Sequence, residues 1–320
     1  MDSFTDIAAT RDEAAFTAVV ERHRRELQVH CYRMLGSFDE AEDLTQETFL
    51  RAWRKRETFQ GRSTLRAWLY RIATNACLDV LERRPRRPAA AEVPWLQPYP
   101  DELLEGIPSP DDEPDAVVVA RETIELAFMV AVQHLPPRPR AVLILRDVLG
   151  WPAKDTAALL ETSVPAANSA LQRARAALKE HLPEQRAEWA PGTDPSAAER
   201  ALIQRYIAAS EEGDAQAIAA LMRDDARFSM PPQPGVWEGR DSIVGMWLEG
   251  GFGSASWGRL RCVPARANHQ PAVANYVLSP GDDTYRPMAL DVLRIQDGEI
   301  AEIVTFGPDV FPTFGLPATI

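Results

Sequence analysis

Residues 30–84 read HCYRMLGSFDEAEDLTQETFLRAWRKRETFQGRSTLRAWLYRIATNACLDVLERR and spell a run of helices with one loop between them. Just upstream, Phe16, Val19, Val20, Leu27, Cys31, Met34 and Leu35 recur at helical spacing, which predicts a helix over 13–35. Gly36 stops it, because glycine takes a left-handed turn at little cost. Ser37 or Asp39 caps the next helix, through AEDLTQETFLRAWRK, whose Leu44, Phe49, Leu50 and Trp53 share an apolar face. The loop ETFQGRST leads into LRAWLYRIATNACLDVLERR. Leu65, Trp68, Leu69, Ile72, Ala73 and Ala76 form the apolar face there, while Arg62, Arg66, Arg71 and Asn75 fall on or beside a different one.

The charge around this stretch is uneven. The 320-residue chain carries a formal −12, which taken alone argues against a nucleic-acid partner. Yet residues 48–87 hold 11 basic and 3 acidic side chains, between more acidic segments on either side. Residues 88–116 carry eight carboxylates, seven prolines and no basic residue, which predicts an extended acidic linker. Within it, VPWLQPYPDELL is more apolar than a spacer needs and is expected to dock locally. A second break, 183–195, places Pro191, Gly192 and Pro195 ahead of Ser196. The chain thus divides into a unit 1–87, a linker 88–116, a unit 117–182, a linker 183–195 and a unit 196–320.

Other classes are excluded more simply. No apolar run approaches the ~20 residues that cross a bilayer. The N-terminus MDSFTDIAAT lacks the basic and apolar regions of a secretion signal. Cys31, Cys77 and Cys262 fit neither a zinc knuckle nor a disulfide framework. A cytoplasmic protein without metal or cofactor is expected.

The basic block has a chemistry. Phe59, Trp68 and Tyr70 lie near a concentration of guanidinium groups. Arginines hold phosphates, and aromatics with small polar loop residues hold an unstacked base. This suits single-stranded or melting DNA better than a closed duplex. Trp68 reads equally well as a core residue.

Residues 30–84 resemble region 2 of the bacterial sigma-70 family, in its extracytoplasmic-function (ECF) branch. The run DLTQETF, Asp43 to Phe49, resembles that family's core-polymerase-binding helix. The resemblance implies that Asp39, Glu42, Asp43, Leu44, Gln46, Glu47, Phe49 and Trp53 meet core RNA polymerase, on the coiled-coil clamp of its β′ subunit. It also implies that Phe59, Gly61, Arg62, Ser63 and Thr64 form the loop that captures a flipped base of the −10 element. Arg66, Trp68, Arg71 and Asn75 then hold the element from the following helix.

Beyond the linker, ARETIELAFMVAVQHLPPRPRAVLILRDVLGW predicts two helices broken at Pro136-Pro137. A short helix, Lys154 to Leu160, a turn at Glu161 to Ser163 and a helix capped by Ser163 follow, with Pro165 tolerated in the first turn. Leu159, Val164, Ala167, Leu171, Ala174 and Leu178 supply a buried seam. Asn168, Gln172, Arg173 and Arg175 stay outside, the pattern of a helix-turn-helix recognition helix. LPPRPRAVLILRDVLGW and ALQRARAALKEHL resemble sigma region 4, which reads promoter DNA at the −35 element and meets the polymerase β flap. The DNA contacts implied are Arg138, Arg140, Lys154, Ser163, Asn168, Ser169, Gln172, Arg173 and Arg175. Asn168 and Ala170 stand where the family frequently has basic residues. In that family the connector between the two regions threads the polymerase active-site and RNA-exit channel. The acidic linker here reads either as a crude RNA mimic or as a plain spacer.

The third unit reads as helices followed by a strand meander with a hairpin at Gln296-Asp297-Gly298-Glu299, which predicts an α+β cone. MPPQPGVWEGRDSI and VTFGPDVFPTFGLP resemble the SnoaL-like and ketosteroid-isomerase-like superfamily. The resemblance makes Tyr206 and Asp291 an oxyanion-hole pair and puts Met230 where the isomerase base stands. Methionine takes no proton, and Asp224 and Asp225 are expected in solvent at a helix end. A non-catalytic domain is therefore expected. Tyr206, Met230, Trp237, Trp247, Asp291 and Phe306 line either a small-molecule pocket or a filled core.

The expected fold class is multidomain: two all-α helical domains and a C-terminal α+β cone. The expected function is that of a sigma factor whose fused C-terminal domain modulates promoter-directed transcription. The rival readings are a SnoaL-like isomerase or cyclase fused to a DNA-binding module, and a stand-alone transcription factor.

Overall fold

The structure is a computed structural model, and it describes residues 13–59, 64–84, 93, 95–104, 124–182 and 195–320. The described chain forms two compact units. One contains the residues up to 84 together with 102–182; the other contains 93–101 and 195–320.

In the first unit, the helix expected over 13–35 is two helices, α1 (Glu13–Val20) and α2 (Arg24–Leu35), parted by a 3-10 turn at Glu21–His23. Residues 21–26 read ERHRRE and offer no apolar side chain to sustain one face through the join. Gly36 ends α2 at φ 75°, with its N–H on Tyr32 O. A Cβ at this position would meet the Gln133 side chain at 3.1 Å, so both the backbone angle and the space call for glycine. Of the two candidate caps it is Ser37 that accepts from Glu40 N, at 3.3 Å, and opens α3 (Phe38–Lys55). Thr64 caps α4 (Leu65–Arg83), accepting from Ala67 N at 3.1 Å. Helices α2 and α4 enclose Leu27, Cys31, Met34, Leu69, Ala73 and Cys77, all without solvent exposure.

The rest of this unit is α5 (Leu126–Gln133), α6 (Pro137–Leu143) continuing into a π turn at Ile144–Val148, α7 (Ala153–Leu159) and α8 (Val164–His181). The break falls at Pro136-Pro137, as expected. Pro137 sits in the first turn of α6, where a missing N–H costs nothing. Ser163 caps α8. The seam of Leu159, Ala167, Leu171, Ala174 and Leu178 is buried, but Val164, expected in it, is 36% exposed. Gln133 Nε2 donates to Arg33 O at 3.1 Å, and the Tyr70 and Trp151 rings lie 5.4 Å apart. The two expected helical domains therefore meet within one unit.

In the second unit, a capping box of Ser196 and Glu199 starts α9 (Ala197–Glu212). Next come α10 (Ala215–Ala219), β1 (Met222–Ser229), β2 (Val236–Glu238) and α11 (Arg240–Glu249). The meander is β3 (Arg259–Ala267), β4 (Gln270–Leu278), β5 (Arg286–Gln296) and β6 (Glu299–Phe306). The strand order is β2-β1-β6-β5-β4-β3, antiparallel except for the parallel β1–β6 pair. The β5–β6 turn is the expected one, with Asp297 at φ 54° and Gly298 at φ 80°. Leu202, Ile203, Phe228, Ile243, Val273 and Ile303 share the core between helices and sheet. Asp224 and Asp225 lie on β1 rather than at a helix end, paired with Arg240 and Arg223.

Part of the acidic linker belongs to this second unit. Tyr99 is fully buried, and Pro100 bridges Ala267 at the end of β3. Tyr99 N donates to Asn268 Oδ1 at 2.7 Å, and Asn268 N returns a bond to Tyr99 O at 2.9 Å. Asp101 takes Arg266 Nε at 2.9 Å and His269 N at 2.7 Å. Burial of Val93, Leu96 and Tyr99 explains why this acidic stretch carries apolar residues.

Candidate nucleic-acid and polymerase interface

Helix α3 presents its acids in a stripe. Asp39, Glu42, Asp43 and Gln46 are exposed at three- and four-residue spacing, and Leu50 continues the row at 51% exposure. Leu50 was expected in the apolar face. It stands outside because the helix turns it toward the acids. Glu47 is half-buried and holds Arg51 at 2.8 Å, which also reaches Asp79 at 3.0 Å. Leu44, Phe49 and Trp53 are half-buried as well. Trp53 packs edge-on against Phe16 at 5.2 Å and carries Arg56 over its ring at 4.0 Å, so it shapes this surface from beneath.

At the front of α4, Phe59 and Trp68 meet edge-to-face at 5.4 Å. Gly61, Arg62 and Ser63 lie outside the described residues. Thr64 and Arg71 are exposed, and Asn75 is half-buried. Among the described residues Arg71 makes only a long bond, 3.5 Å, to Ala158 O. Tyr70, expected among the DNA-facing aromatics, is 1% exposed. Its period along α4 places it inward, and its hydroxyl reaches Glu26 at 3.3 Å. Arg66 donates Nε to the same carboxylate at 2.7 Å. Burial pushes the Glu26 carboxyl up, but bonds and charge from His23 and Arg66 outweigh it and hold the group below its ordinary value.

On α8, Asn168, Ser169, Gln172 and Arg173 are exposed along the outer face, with Lys154 exposed on α7. Ser163 gives its hydroxyl to the cap. Arg175 is exposed but forked onto Asp147, with both bonds at 2.7 Å. Arg138 is exposed and 3.6 Å from Glu82. Arg140, expected at DNA, is 4% exposed. It donates to Gln133 Oε1 (2.6 Å), Gln133 O (2.7 Å), Leu135 O (2.9 Å) and Met34 O. These are carbonyls at the ends of α2 and α5, where helices leave acceptors unpaired. Without a carboxylate partner, burial and the charge of Arg84 press its pKa down to about 9. In this structure Arg140 is a structural cation.

In the second unit, Tyr206 and Asp291 do come together, with the hydroxyl donating at 2.9 Å. Asn275 Nδ2 donates to the same oxygen at 2.6 Å, and Thr305 Oγ1 to the other at 2.6 Å. Cys262 Sγ closes the network on Asn275 Oδ1 at 3.1 Å. Burial pushes Asp291 above its ordinary value despite these three donors. Met230, Trp237 and Trp247 pack against the core cluster that contains Tyr206. Phe306 does not join them. Thr305 pairs with Asp291 across the sheet, so alternation turns Phe306 to the opposite face. Two signals were missed in the sequence: Glu26, a lone acid among apolar positions of α2, and Asn275, within a strand that reads as plain core.

Comparison with known proteins agrees with this geometry. Residues 19–87 match Sigma-70 region 2, residues 125–178 match Sigma-70, region 4, and residues 203–303 match the SnoaL-like domain. The chain is 41% identical to the ECF RNA polymerase sigma factor SigG of Mycobacterium tuberculosis, over 95% of this chain and 85% of that protein. It is 29% identical to SigJ of the same organism, over 91% of each. Its fold is similar to the crystal structure of M. tuberculosis SigJ, with TM-score 0.59 and 26% identity over 94% of this chain and 99% of that one. Two sigma regions in order, a fused SnoaL-like domain and full-length likeness leave one assignment: the chain belongs to the ECF family of RNA polymerase sigma factors.

Proposed function

We propose that the chain acts in the cytoplasm by binding core RNA polymerase through the stripe on α3 and directing initiation at promoters. The stripe carries the reading: Asp39, Glu42, Asp43, Gln46 and Leu50 form one exposed face of a helix that buries Phe38, Ala41, Thr45, Thr48 and Ala52. Acids followed by an exposed leucine fit a basic, partly apolar partner such as the β′ clamp coiled coil. The Phe59–Trp68 pair and α4 then engage the −10 element, and the outer face of α8 engages the −35 duplex near the β flap. Strand opening comes from capturing bases that have left the stack. Among the described residues, no helix is long and apolar enough to cross a membrane.

The SnoaL-like domain modulates this activity and does not catalyse. The Tyr206 hydroxyl already donates its hydrogen bond to Asp291, and Met230 offers no base. The linker segment around Tyr99 supports the modulation: a connector held by the β3–β4 turn is not free to enter a polymerase channel. The Asp43→Lys, Glu47→Lys variant is expected to lose co-purification with core enzyme; unchanged co-purification would sink the assignment. Tyr99→Ala, or removal of 196–320, is expected to change promoter-dependent transcription in a reconstituted assay. Output equal to the full chain in both would remove the regulatory role.

A further inference from the structure

The first unit contains an ion pair that the polymerase-binding and DNA-reading surfaces do not explain. Glu26 lies on α2, 40 residues before Arg66, with its side chain 5% exposed. Besides Arg66 Nε at 2.7 Å and the Tyr70 hydroxyl at 3.3 Å, it meets His23 Nδ1 at 2.5 Å. Arg66 stacks over the Tyr70 ring at 4.9 Å, and its Nη2 lies 3.5 Å from the Tyr70 hydroxyl. Its side chain remains 31% exposed, and Nη1 makes no hydrogen bond among the described residues. Arg66 stands two residues before Trp68 and five before Arg71 on the helix that Thr64 caps.

A free arginine on a helix surface samples many rotamers, and ordering it on a ligand costs up to about 2 kcal/mol. Here the inner edge of the guanidinium is fixed by a carboxylate and its face by a ring. Nη1 alone has no partner among the described residues, on a side chain that keeps 31% exposure. A carboxylate that merely sequestered the cation would take both nitrogens of one edge, as Asp147 does with Arg175. Glu26 takes Nε and leaves the far corner.

We propose that Glu26 is a positioning residue for −10 recognition: through Nε it sets Arg66 in one orientation, with Nη1 presented to a phosphate of the opened strand. The inference rests on the sigma-factor reading above, because it presumes that α4 meets DNA. Tyr70 serves as the second support, and His23 completes the shell around the carboxylate.

The test uses the full chain assembled with core enzyme and a forked DNA carrying the −10 element, with affinity measured across a salt series. Glu26→Gln is expected to weaken the fork about five- to tenfold, and Arg66→Ala by more, each lowering the salt slope by up to about one phosphate contact. In the Arg66→Ala background, Glu26→Gln is expected to do nothing further; with Arg66 present, Glu26→Asp is expected to lose less than Glu26→Gln. Affinity is expressed per core-bound chain, so a folding defect does not imitate the effect. An equal loss from Glu26→Gln with and without Arg66 would overturn the proposal, as would tighter binding, which would make Glu26 a competitor of DNA. A wild-type holoenzyme that binds no fork at all refutes instead the sigma-factor reading itself.

Discussion

Glu26 and Asp291 are carboxylates in different units, 6% and 8% exposed, whose acidities move in opposite directions. Burial presses both upward. Glu26 has Arg66 and His23 against it, and their charge and bonds bring it below the ordinary value. Asp291 has three donors, Tyr206, Thr305 and Asn275, but no cation, and stays raised. A cation in the shell keeps a charge that extends to the surface through Arg66. Neutral donors alone give a sealed polar core. The first arrangement keeps a cation near the surface, and the second closes a polar network on itself.

The comparison breaks most easily at Asp291. Asp291→Ala abandons two buried donors, Tyr206 and Asn275, and half-buried Thr305, for a total on the order of 4 kcal/mol. Denaturant unfolding of the full chain, followed through Trp237 and Trp247, reads this; a loss below 1 kcal/mol would mean the network is not sealed. Glu26→Gln removes a charged acceptor and is expected to cost roughly 1.5–3 kcal/mol in the first unit.

Acidity separates the two regions further. Buried His30, pressed by desolvation and by Arg33 and Arg66, has its pKa lowered to about 3. The unfolded chain then binds the proton more readily, so stability falls as pH drops from 6.5 toward 3, by up to about 1.4 kcal/mol per pH unit. Glu26 acts in the same sense: its contribution is present above its unfolded value and is lost as pH falls through its lowered one. Asp291, being raised, works the other way, and its penalty eases as pH falls through its folded value. Melting each unit across pH 7 to 4 is expected to show the first losing stability faster. Equal slopes would contradict the assignment of opposite shells.

The smallest effect is Asp291→Asn, below about 1 kcal/mol. Its amide oxygen can accept from Tyr206 and Asn275 while its nitrogen donates to the Thr305 hydroxyl, which also accepts. A loss as large as that of Asp291→Ala would show that the charge, not the hydrogen-bond pattern, holds this core.

Much of the architecture was legible because it rests on local signals. Ser37, Thr64, Ser163 and Ser196 cap helices where short polar residues precede apolar periodicity. Gly36 and the Asp297-Gly298 turn take the backbone angles their residue types allow. The misses are long-range. Arg140 reads as a surface cation until carbonyls from two helix ends close around it. Tyr70 reads as a DNA-facing ring until Glu26, 44 residues earlier, claims its hydroxyl. Phe306 reads as a pocket wall, but the β5–β6 register buries it on the opposite face of the sheet. Leu50 reads as core, and only the packing of α3 shows which of its apolar positions is left over. Composition predicts local docking of VPWLQPYPDELL, but Tyr99 within it bonds Asn268, 169 residues away, a partner with no sequence signal.

Run-off transcription with purified core enzyme on genomic fragments tests the central assignment most directly. The full chain is expected to give discrete start sites absent with core alone, and the Asp43→Lys, Glu47→Lys variant to lose them. Transcripts no different from core alone, or start sites that survive both substitutions, would contradict the account.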